Sequence, residues 1–367
     1  MTAPTPDRLE GIIRERIAET GPMGVDDYMA ICLSDPIASY YATRDPFGRN
    51  GDFTTSPEIS GLFGEMCGLF LAHMYELAEN PSDTSILELG PGCGTLMRDM
   101  RHVWAMLMPA LASMPVHFVE TSPTLRKLQR QTVGAEADVT WHQDVDAALA
   151  SCKGPLFGIA NEFFDALPVT QKVMEKGQWH DRQVGIREDR LSYVVGPPCE
   201  HGSPFLPKGA PDGAVAELCP QADDIIIRLG EALVRRGGAV LIIDYGSDGN
   251  PGDSLQAVND HRAVDPFDRP GNADLSHWVD FAALAVAART TGARLVGPVP
   301  QGRFLMQVGL GVRAEQAGLN AEPETRRDLL SAVDRLTNPA QMGEVFKVAL
   351  LLPPGEGVPP GFEQDAD

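Results

Sequence analysis

Apolar and polar positions follow two different patterns along this chain. Short, wholly apolar runs predict buried β-strands, and segments with an apolar residue every three or four positions predict amphipathic helices. The strand candidates, in order, are SILELG, VHFVE, VTWH, LFGIANEFF, AVLIIDYG, ARLVGPV and FLMQVGL. Helical segments separate most of the first five, an order typical of a largely parallel, doubly wound sheet. We therefore expect a Rossmann-like α/β core.

Three segments extend or interrupt this core. Residues 1–80 have a helical pattern with one loop-rich interruption, TRDPFGRNGDFTTSPEIS, and predict a helical N-terminal cap. Within the core of residues 81–352, the segment 168–223 alternates apolar and polar residues around turn residues, which predicts a β-hairpin insert. Residues 353–367 predict a disordered tail. The expected sheet is mostly parallel and has seven strands.

Composition narrows the class of partner. The 367 residues carry a net charge of -21, which argues against a nucleic-acid backbone as the main partner and is compatible with a basic peptide. The six cysteines lack the spacing of a metal or redox site, so we expect no metal. We see no transmembrane run, signal peptide or transit peptide. These features predict a cytoplasmic protein, or a mitochondrial matrix protein if the source is a eukaryote.

The stretch ELGPGCGTLM, residues 88–97, contains a glycine-rich turn before a helix. A dinucleotide fingerprint G-x-G-x-x-G starting at Gly90 and Gly92 would need glycine at the position of Thr95. The third glycine is Gly94 instead, and Glu88 adds a carboxylate that suits a cationic ligand better than a pyrophosphate. S-adenosylmethionine fits, because it has a sulfonium, an ammonium and a ribose but no phosphate. NAD binding and an ordinary tight turn remain alternatives.

The second strand of the predicted unit, VHFVE, ends on Glu120. A carboxylate at this position holds ribose hydroxyls in doubly wound folds. The alternative is that Glu120 supports the first turn of the helix in SPTLRKLQRQ, where acidic residues are favoured. The preceding glycine-rich turn favours the ribose role.

The loop GDFTTSPEIS offers further polar groups to a cofactor. The candidates are Gly51, Asp52, Thr54 and Thr55. The same loop predicts a helix start at Ser56-Pro57-Glu58, and the two roles are compatible.

The fourth strand candidate runs into IANEFFDALPV, residues 159–169, with Asn161, Glu162 and Asp165 at its end. If a helix begins directly after the strand, the two carboxylates face the same way. They could then accept hydrogen bonds from the planar N–H groups of an arginine guanidinium. Phe163 or Phe164 could flank the plane of this guanidinium. The alternative is a helix cap with two core aromatic residues.

The order of several motifs resembles one known family. These motifs are GDFTTSPEIS, ELGPGCGTLM, ETSPTLRKLQ, NEFFDALPV, IIDYG, QGRFLMQVG and MGEVFKV. They occur in this order in MidA-like proteins, the mitochondrial complex I assembly-factor methyltransferases and their bacterial homologues. The resemblance implies a class I S-adenosylmethionine-dependent fold and type II protein-arginine methylation, which gives symmetric dimethylarginine. The implied substrate is the 49-kDa-type subunit of NADH:quinone oxidoreductase.

The resemblance also implies roles for individual positions. Gly90, Gly92 and Gly94 would line the methionine portion, Glu120 the ribose, and Asp144 the adenine amine. Glu162 and Asp165 would be the catalytic carboxylates at the acceptor edge. The other expected cofactor contacts are Glu88, Thr95, Leu96, Thr121, Val145 and Asn161. The expected substrate contacts are Phe163, Phe164 and His261, although a lone histidine is more often structural.

Two other function classes remain open. One is a non-catalytic assembly chaperone, which would need neither the glycine-rich turn nor the acidic strand end. The other is a methyltransferase for small molecules. The long N-terminal region and the hairpin insert favour a cap over a protein substrate, and a homodimer is an open alternative.

Overall fold

The computed structural model describes residues 6–35, 55–134, 136–199, 206–319, 321–355 and 357–363. The helices are α1 (Pro6–Thr20), α2 (Val25–Ser34), α3 (Ser56–Ile59), α4 (Gly61–Leu77), α5 (Thr95–Leu107), α6 (Pro109–Ala112), α7 (Pro123–Val133), α8 (Val145–Ser151), α9 (Pro220–Arg236), α10 (Phe281–Thr290), α11 (Gln301–Gln307), α12 (Leu310–Gly318), α13 (Pro323–Thr337) and α14 (Met342–Val345). A short 3-10 helix covers Phe164–Ala166.

The strands are β1 (Met23–Gly24), β2 (Ser85–Leu89), β3 (Val116–Val119), β4 (Val139–His142), β5 (Leu156–Asn161), β6 (Thr170–Glu175), β7 (Gln178–Arg187), β8 (Arg190–Pro198), β9 (Val215–Leu218), β10 (Gly238–Ser247), β11 (Gln256–Asn259), β12 (Arg262–Val264), β13 (Asp274–Ser276), β14 (Val279–Asp280), β15 (Arg294–Pro300) and β16 (Phe346–Leu352).

The chain divides into two compact units. The first unit comprises Met1–Phe53, Asp165–Asp223 and Ser247–Ala283, and the second comprises Thr54–Phe164, Asp224–Gly246 and Leu284–Asp367. No helix in the described part of the chain is both long and apolar enough to cross a membrane.

The second unit contains the predicted doubly wound sheet. Seven of its described strands follow the order β15-β16-β10-β5-β2-β3-β4. The pairs from β10 to β4 are parallel, and β16 is antiparallel to both β10 and β15. The prediction of a mostly parallel seven-stranded sheet is confirmed. Since β2, β3, β4 and β5 run parallel, the residues that follow them all lie at one edge of the sheet.

One predicted strand is wrong. The segment FLMQVGL, which starts at Phe304, lies in α11 and the start of α12, and β16 supplies the seventh strand. Phe304, Leu305 and Leu310 are fully buried while Met306 is 52% exposed. A short apolar run does not distinguish a buried helix from a strand, and this one forms helix.

The predicted domain boundary at residue 80 differs from the boundary between the two units. Helix α4 packs on α5 in the second unit, and a Cβ atom at Gly68 would lie only 2.9 Å from the Cα of Met100. The indole Nε1 of Trp104 donates a hydrogen bond of 2.7 Å to the carbonyl of Gly68. Because this glycine lets the helices approach closely, α4 belongs to the core of the second unit rather than to an N-terminal cap.

The predicted tail beyond residue 352 is ordered in part. Phe362 is 4% exposed, and its ring lies 5.8 Å from that of Phe70 and 5.5 Å from that of Phe304. The apolar area that this ring buries explains why the Pro- and Gly-rich composition was misleading. Residues 364–367 lie outside the described part of the chain.

The first unit contains an antiparallel sheet in the order β1-β7-β6-β9, with β8 paired to β7. The predicted hairpin insert is present in β6, β7 and β8. Its two turns place Lys176 and Gly177 at φ 52° and 78°, and Glu188 and Asp189 at φ 49° and 61°. Two consecutive residues with positive φ are typical of two-residue hairpin turns. Helices α1 and α2 contribute buried side chains to the same unit, including Leu9, Ile13 and Tyr28.

Candidate active site

The glycine-rich turn joins β2 to α5 at the carboxyl edge of the sheet. Gly90, Gly92 and Gly94 have φ angles of 62°, 50° and 80°, a region that favours glycine. A Cβ atom at Gly90 would lie 2.8 Å from Cδ2 of Phe163, and one at Gly94 would lie 3.2 Å from the Cα of Gln129. Both the conformation and the lack of space therefore exclude larger side chains here.

Two buried acceptors lie at the ends of neighbouring strands β2 and β5. Oε2 of Glu88 and Oδ1 of Asn161 are buried and have no hydrogen-bond partner among the described residues. Burial raises the pKa of Glu88 to about 8. Buried polar atoms without partners are uncommon, and two acceptors suit a ligand with an ammonium group, which only donates. The donor and acceptor chemistry thus fits the methionine portion of S-adenosylmethionine.

Glu120 follows β3 and is 9% exposed. Its Oε1 accepts a hydrogen bond of 2.8 Å from the backbone N–H of Ser122, and its Oε2 accepts one of 3.0 Å from Nε2 of Gln129. Burial raises the pKa of Glu120, and these hydrogen bonds oppose the increase. Ser122, rather than Glu120, is the N-cap of α7, since its Oγ accepts from the N–H of Leu125 at 3.3 Å.

The buried residue Gln129 was missed by the sequence analysis. It is fully buried in α7 and also donates a hydrogen bond of 2.8 Å to the carbonyl of Gly92. Its Oε1 accepts a hydrogen bond of 2.8 Å from Nε1 of Trp141 in β4. The available signal was its position four residues after Leu125, which places both on one helix face.

The residues on the β4 side are more exposed. Asp144 is exposed and caps α8, because its Oδ1 accepts a hydrogen bond of 2.8 Å from the N–H of Ala147. Thr121 is exposed, whereas Val145 and Leu96 are buried at 6% and 3% exposure. The side chain of Leu96 packs in the core of the second unit, and Thr95 begins α5.

Glu162 follows β5 in a left-handed conformation with φ of 51°, which is strained for a residue other than glycine. Its Oε1 accepts hydrogen bonds from the N–H of Ser56 at 2.9 Å and from Nδ2 of Asn161 at 3.2 Å. The 3-10 helix begins only at Phe164, so Glu162 precedes it. The condition under which Glu162 and Asp165 were expected to face the same way, a helix directly after β5, is therefore not met.

The turn after Glu162 is held by Asp244, a second residue whose role the sequence analysis missed. Asp244 in β10 is fully buried, and its Oδ2 accepts hydrogen bonds from the N–H groups of Phe163 at 3.2 Å and Phe164 at 2.9 Å. Phe164 is fully buried, whereas Phe163 is half-buried beside Gly90. Phe163 is therefore the better placed of the two rings to meet a ligand.

The remaining predicted residues lie elsewhere. Asp165 belongs to the first unit, is 7% exposed, and accepts a hydrogen bond of 3.0 Å at its backbone oxygen from the N–H of His277. His261 is exposed in the turn between β11 and β12 of that unit, with φ of 59°. Thr55 is the N-cap residue of α3. Gly51, Asp52 and Thr54 lie outside the described residues.

Comparison with known proteins identifies the cofactor. Residues 66–299 match the model of a family of S-adenosyl-L-methionine-dependent methyltransferases. The chain belongs to this family. A Burkholderia thailandensis protein solved with S-adenosyl-homocysteine bound is 25% identical, with a TM-score of 0.80 over 98% of this chain and 93% of that chain. The chain is thus a methyltransferase with the expected class I fold and S-adenosylmethionine as its cofactor.

Two relatives of this methyltransferase carry more specific names. The Drosophila melanogaster protein arginine methyltransferase NDUFAF7 homolog, mitochondrial, is 35% identical over 93% of this chain and 84% of the relative. The human protein arginine methyltransferase NDUFAF7, mitochondrial, is 34% identical over 92% of this chain and 82% of the relative. The expected resemblance to the mitochondrial assembly-factor methyltransferases is therefore confirmed. The cytoplasmic location predicted from the sequence has no support from these relatives.

Proposed function

We propose that this methyltransferase transfers a methyl group from S-adenosylmethionine to an arginine side chain of a protein. The names of its relatives in fly and human support an arginine acceptor. The observation that carries the proposal is Glu162, a carboxylate in a left-handed conformation at the same sheet edge as the glycine-rich turn. Strained residues of this kind cluster at active sites.

Finer features of the reaction also belong to this proposal. They are symmetric dimethylarginine as the product, the 49-kDa-type subunit of NADH:quinone oxidoreductase as the substrate, and the mitochondrial matrix as the compartment in a eukaryote. The mitochondrial names of the relatives support the compartment. The net charge of -21 is compatible with a basic target segment.

Each end of the cofactor has candidate partners in the second unit. Glu88 and Asn161 would accept from the ammonium of the methionine portion, and the backbone of the glycine-rich turn would lie against that portion. Glu120 would accept from the ribose hydroxyls, and Asp144 would lie on the adenine side. The bound cofactor supplies an electrophilic methyl group on a positively charged sulfur.

The acceptor residues would work mainly by orientation. Methyl transfer is an in-line displacement, so the nitrogen and the methyl carbon must be held close and aligned. The N–C bond would form as the S–C bond breaks, S-adenosylhomocysteine would leave, and the nitrogen would release one proton to solvent. An arginine guanidinium stays charged because its pKa lies above about 12. The carboxylate of Glu162 would hold its N–H groups by charge-assisted hydrogen bonds, with Phe163 packing beside it.

A conservative substitution tests the acceptor role. Glu162→Gln retains an oxygen that can accept from the N–H of Ser56 but removes the charge. We expect methylation of an arginine-containing substrate to fall by about 100-fold, the upper range for one hydrogen bond to a charged group. Cofactor affinity, measured by calorimetry, should change by only a few fold. Glu136→Gln, at an exposed position of the same unit, is the matched control.

Three results would separate the possible failures. Unchanged turnover in Glu162→Gln would remove Glu162 from the mechanism. Transfer to small amines but to no protein would exclude a protein substrate. Tight cofactor binding without transfer to any acceptor would favour a binding protein over an enzyme.

A further inference from the structure

Gln129 lies at the centre of a hydrogen-bonded network that joins three parts of the proposed cofactor site. Its Nε2 reaches the carbonyl of Gly92 at 2.8 Å and Oε2 of Glu120 at 3.0 Å. Its Oε1 lies 2.8 Å from Nε1 of Trp141. The network therefore spans the glycine-rich turn, the end of β3 and strand β4.

The chemistry of these partners determines the orientation of the amide. An indole N–H only donates and a backbone carbonyl only accepts, so Oε1 must face Trp141 and Nε2 must face Gly92. Both protons on Nε2 are then used, one for Gly92 and one for Glu120. Since Gln129 is also fully buried, it can influence a ligand only through the groups that it holds.

We propose that Gln129 is a positioning residue for ribose recognition, which holds the Glu120 carboxylate relative to the glycine-rich turn so that it accepts from the ribose hydroxyls. This inference rests on the proposed contact between Glu120 and the ribose. The backbone N–H of Ser122 fixes Oε1 of Glu120, and Gln129 fixes Oε2. Without Gln129, Oε2 of Glu120 would lose the side-chain donor that links it to the glycine-rich turn.

The surrounding charges support a specific task for this amide. The guanidinium of Arg126 donates to the backbone carbonyls of Glu120 and His142, the latter at 3.0 Å. Burial raises the pKa of Glu120, and the opposing groups are Ser122, Gln129, Thr121 and Arg126. Because Gln129 favours the ionised carboxylate, its loss should move the acid limb of cofactor binding to higher pH.

The proposal is tested by comparing the affinities of wild type and one variant for two ligands. The variant is Gln129→Met, which is close in size and lacks both hydrogen-bonding groups. The ligands are S-adenosylhomocysteine and its 2′,3′-dideoxy analogue, titrated calorimetrically into the full chain. We expect the variant to bind S-adenosylhomocysteine about 10-fold more weakly, the loss typical of a hydrogen bond to a charged group. Its affinity for the dideoxy analogue should stay within about twofold of wild type.

Two outcomes would overturn the proposal. Equal loss for both ligands would mean that Gln129 only maintains the local structure, and no loss for either would mean that Glu120 needs no such support. Glu120→Gln serves as the reference. If that variant still discriminates fully between the two ligands, the ribose assignment of Glu120 itself fails, independently of Gln129.

A second variant keeps the test decisive if Gln129→Met does not fold. Gln129→Glu retains the acceptor for Trp141 but places a second carboxyl beside Oε2 of Glu120. Two carboxylates at this separation do not both ionise readily. We expect the ratio of the affinities for S-adenosylhomocysteine and the dideoxy analogue to fall in this variant from pH 6 to pH 8, as the second carboxyl ionises. A parallel fall for both ligands would again overturn the proposal.

Discussion

The two units each bury a glutamate, and their surroundings differ. Glu217 of the first unit is 3% exposed and accepts from Nε2 of Gln171 at 2.7 Å, from the N–H of Leu255 at 3.0 Å and from the N–H of Ser254 at 3.2 Å. The hydroxyl of Ser254 also donates to it. Glu88 of the second unit is 2% exposed, and its Oε2 has no partner among the described residues.

The difference separates a carboxylate that the protein itself satisfies from one that we propose contacts a ligand. The donors around Glu217 come from β6 and from the segment before β11, so its charge stabilises the folding of one segment onto another. Glu88 lacks such donors at Oε2, and burial raises its pKa to about 8. A buried acceptor without a partner costs stability, which is acceptable where a ligand supplies the donor.

The largest expected effect is on the pH dependence of stability without cofactor. The pKa of Glu88 in the folded chain, about 8, lies above its ordinary value of 4.5. Between these pH values the unfolded chain loses a proton that the folded chain keeps, so this residue makes stability fall as pH rises. At about 1.4 kcal/mol per pKa unit, the loss is as much as about 4 kcal/mol at pH 8.

Glu88→Gln should remove that loss. Urea denaturation at pH 5, 6.5 and 8 should show the variant gaining stability over wild type as pH rises, while its affinity for S-adenosylmethionine falls. A constant difference between the two proteins across this range would contradict the assignment.

The next largest effect is expected for Glu217, the buried glutamate of the first unit. Glu217→Ala leaves the donors of Gln171, Ser254 and Leu255 without their acceptor, which should cost about 3 kcal/mol of unfolding free energy. Calorimetric affinity for S-adenosylmethionine should stay within about twofold, because all the proposed cofactor contacts in the described residues lie in the second unit. A large loss of affinity with unchanged stability would reverse the distinction between the two glutamates.

The smallest effect compares one glycine from each unit. Gly90→Ala adds a Cβ atom 2.8 Å from the Phe163 ring at φ of 62°, whereas Gly177→Ala adds one at φ of 78° with nothing within 4 Å. Both changes strain the backbone by about 1–2 kcal/mol. Only Gly90→Ala should weaken S-adenosylmethionine binding, by about 30-fold, since the turn or the ring must move. Equal affinities in a titration of both variants would show that the close approach to Phe163 is unimportant.

Sequence patterns predicted the regular part of the fold and the position of the glycine-rich turn between β2 and α5. The central strands were recognisable because they are buried on both faces and therefore largely apolar, and chain order alone assigned Glu120 to the end of the second core strand. The missed features depend on contacts between distant segments. The hydrogen bonds from Asp244 to the turn after Glu162 and the packing of Phe362 have no local signal, and the position of Gln129 four residues after Leu125 indicates its helix face but not its partners.

The assignment of segments to units was correct for only one stretch, for a related reason. The first unit is assembled from three separate stretches of chain, and only the middle one, Asp165–Asp223, was recognised, as the insert at 168–223. Periodicity describes neighbours within about 18 residues, so it carries no information on which of these stretches pack together.

The position of β16 constrains when the sheet can be completed during synthesis. This strand, Phe346–Leu352, lies between β10 and β15 and is the only strand to which β15 is paired among the described residues. Translation must therefore reach residue 352 before β16 can pair with both β10 and β15. Until then, the edge of β10 that pairs with β16 lacks this partner, and an unpaired strand edge is where other chains can pair.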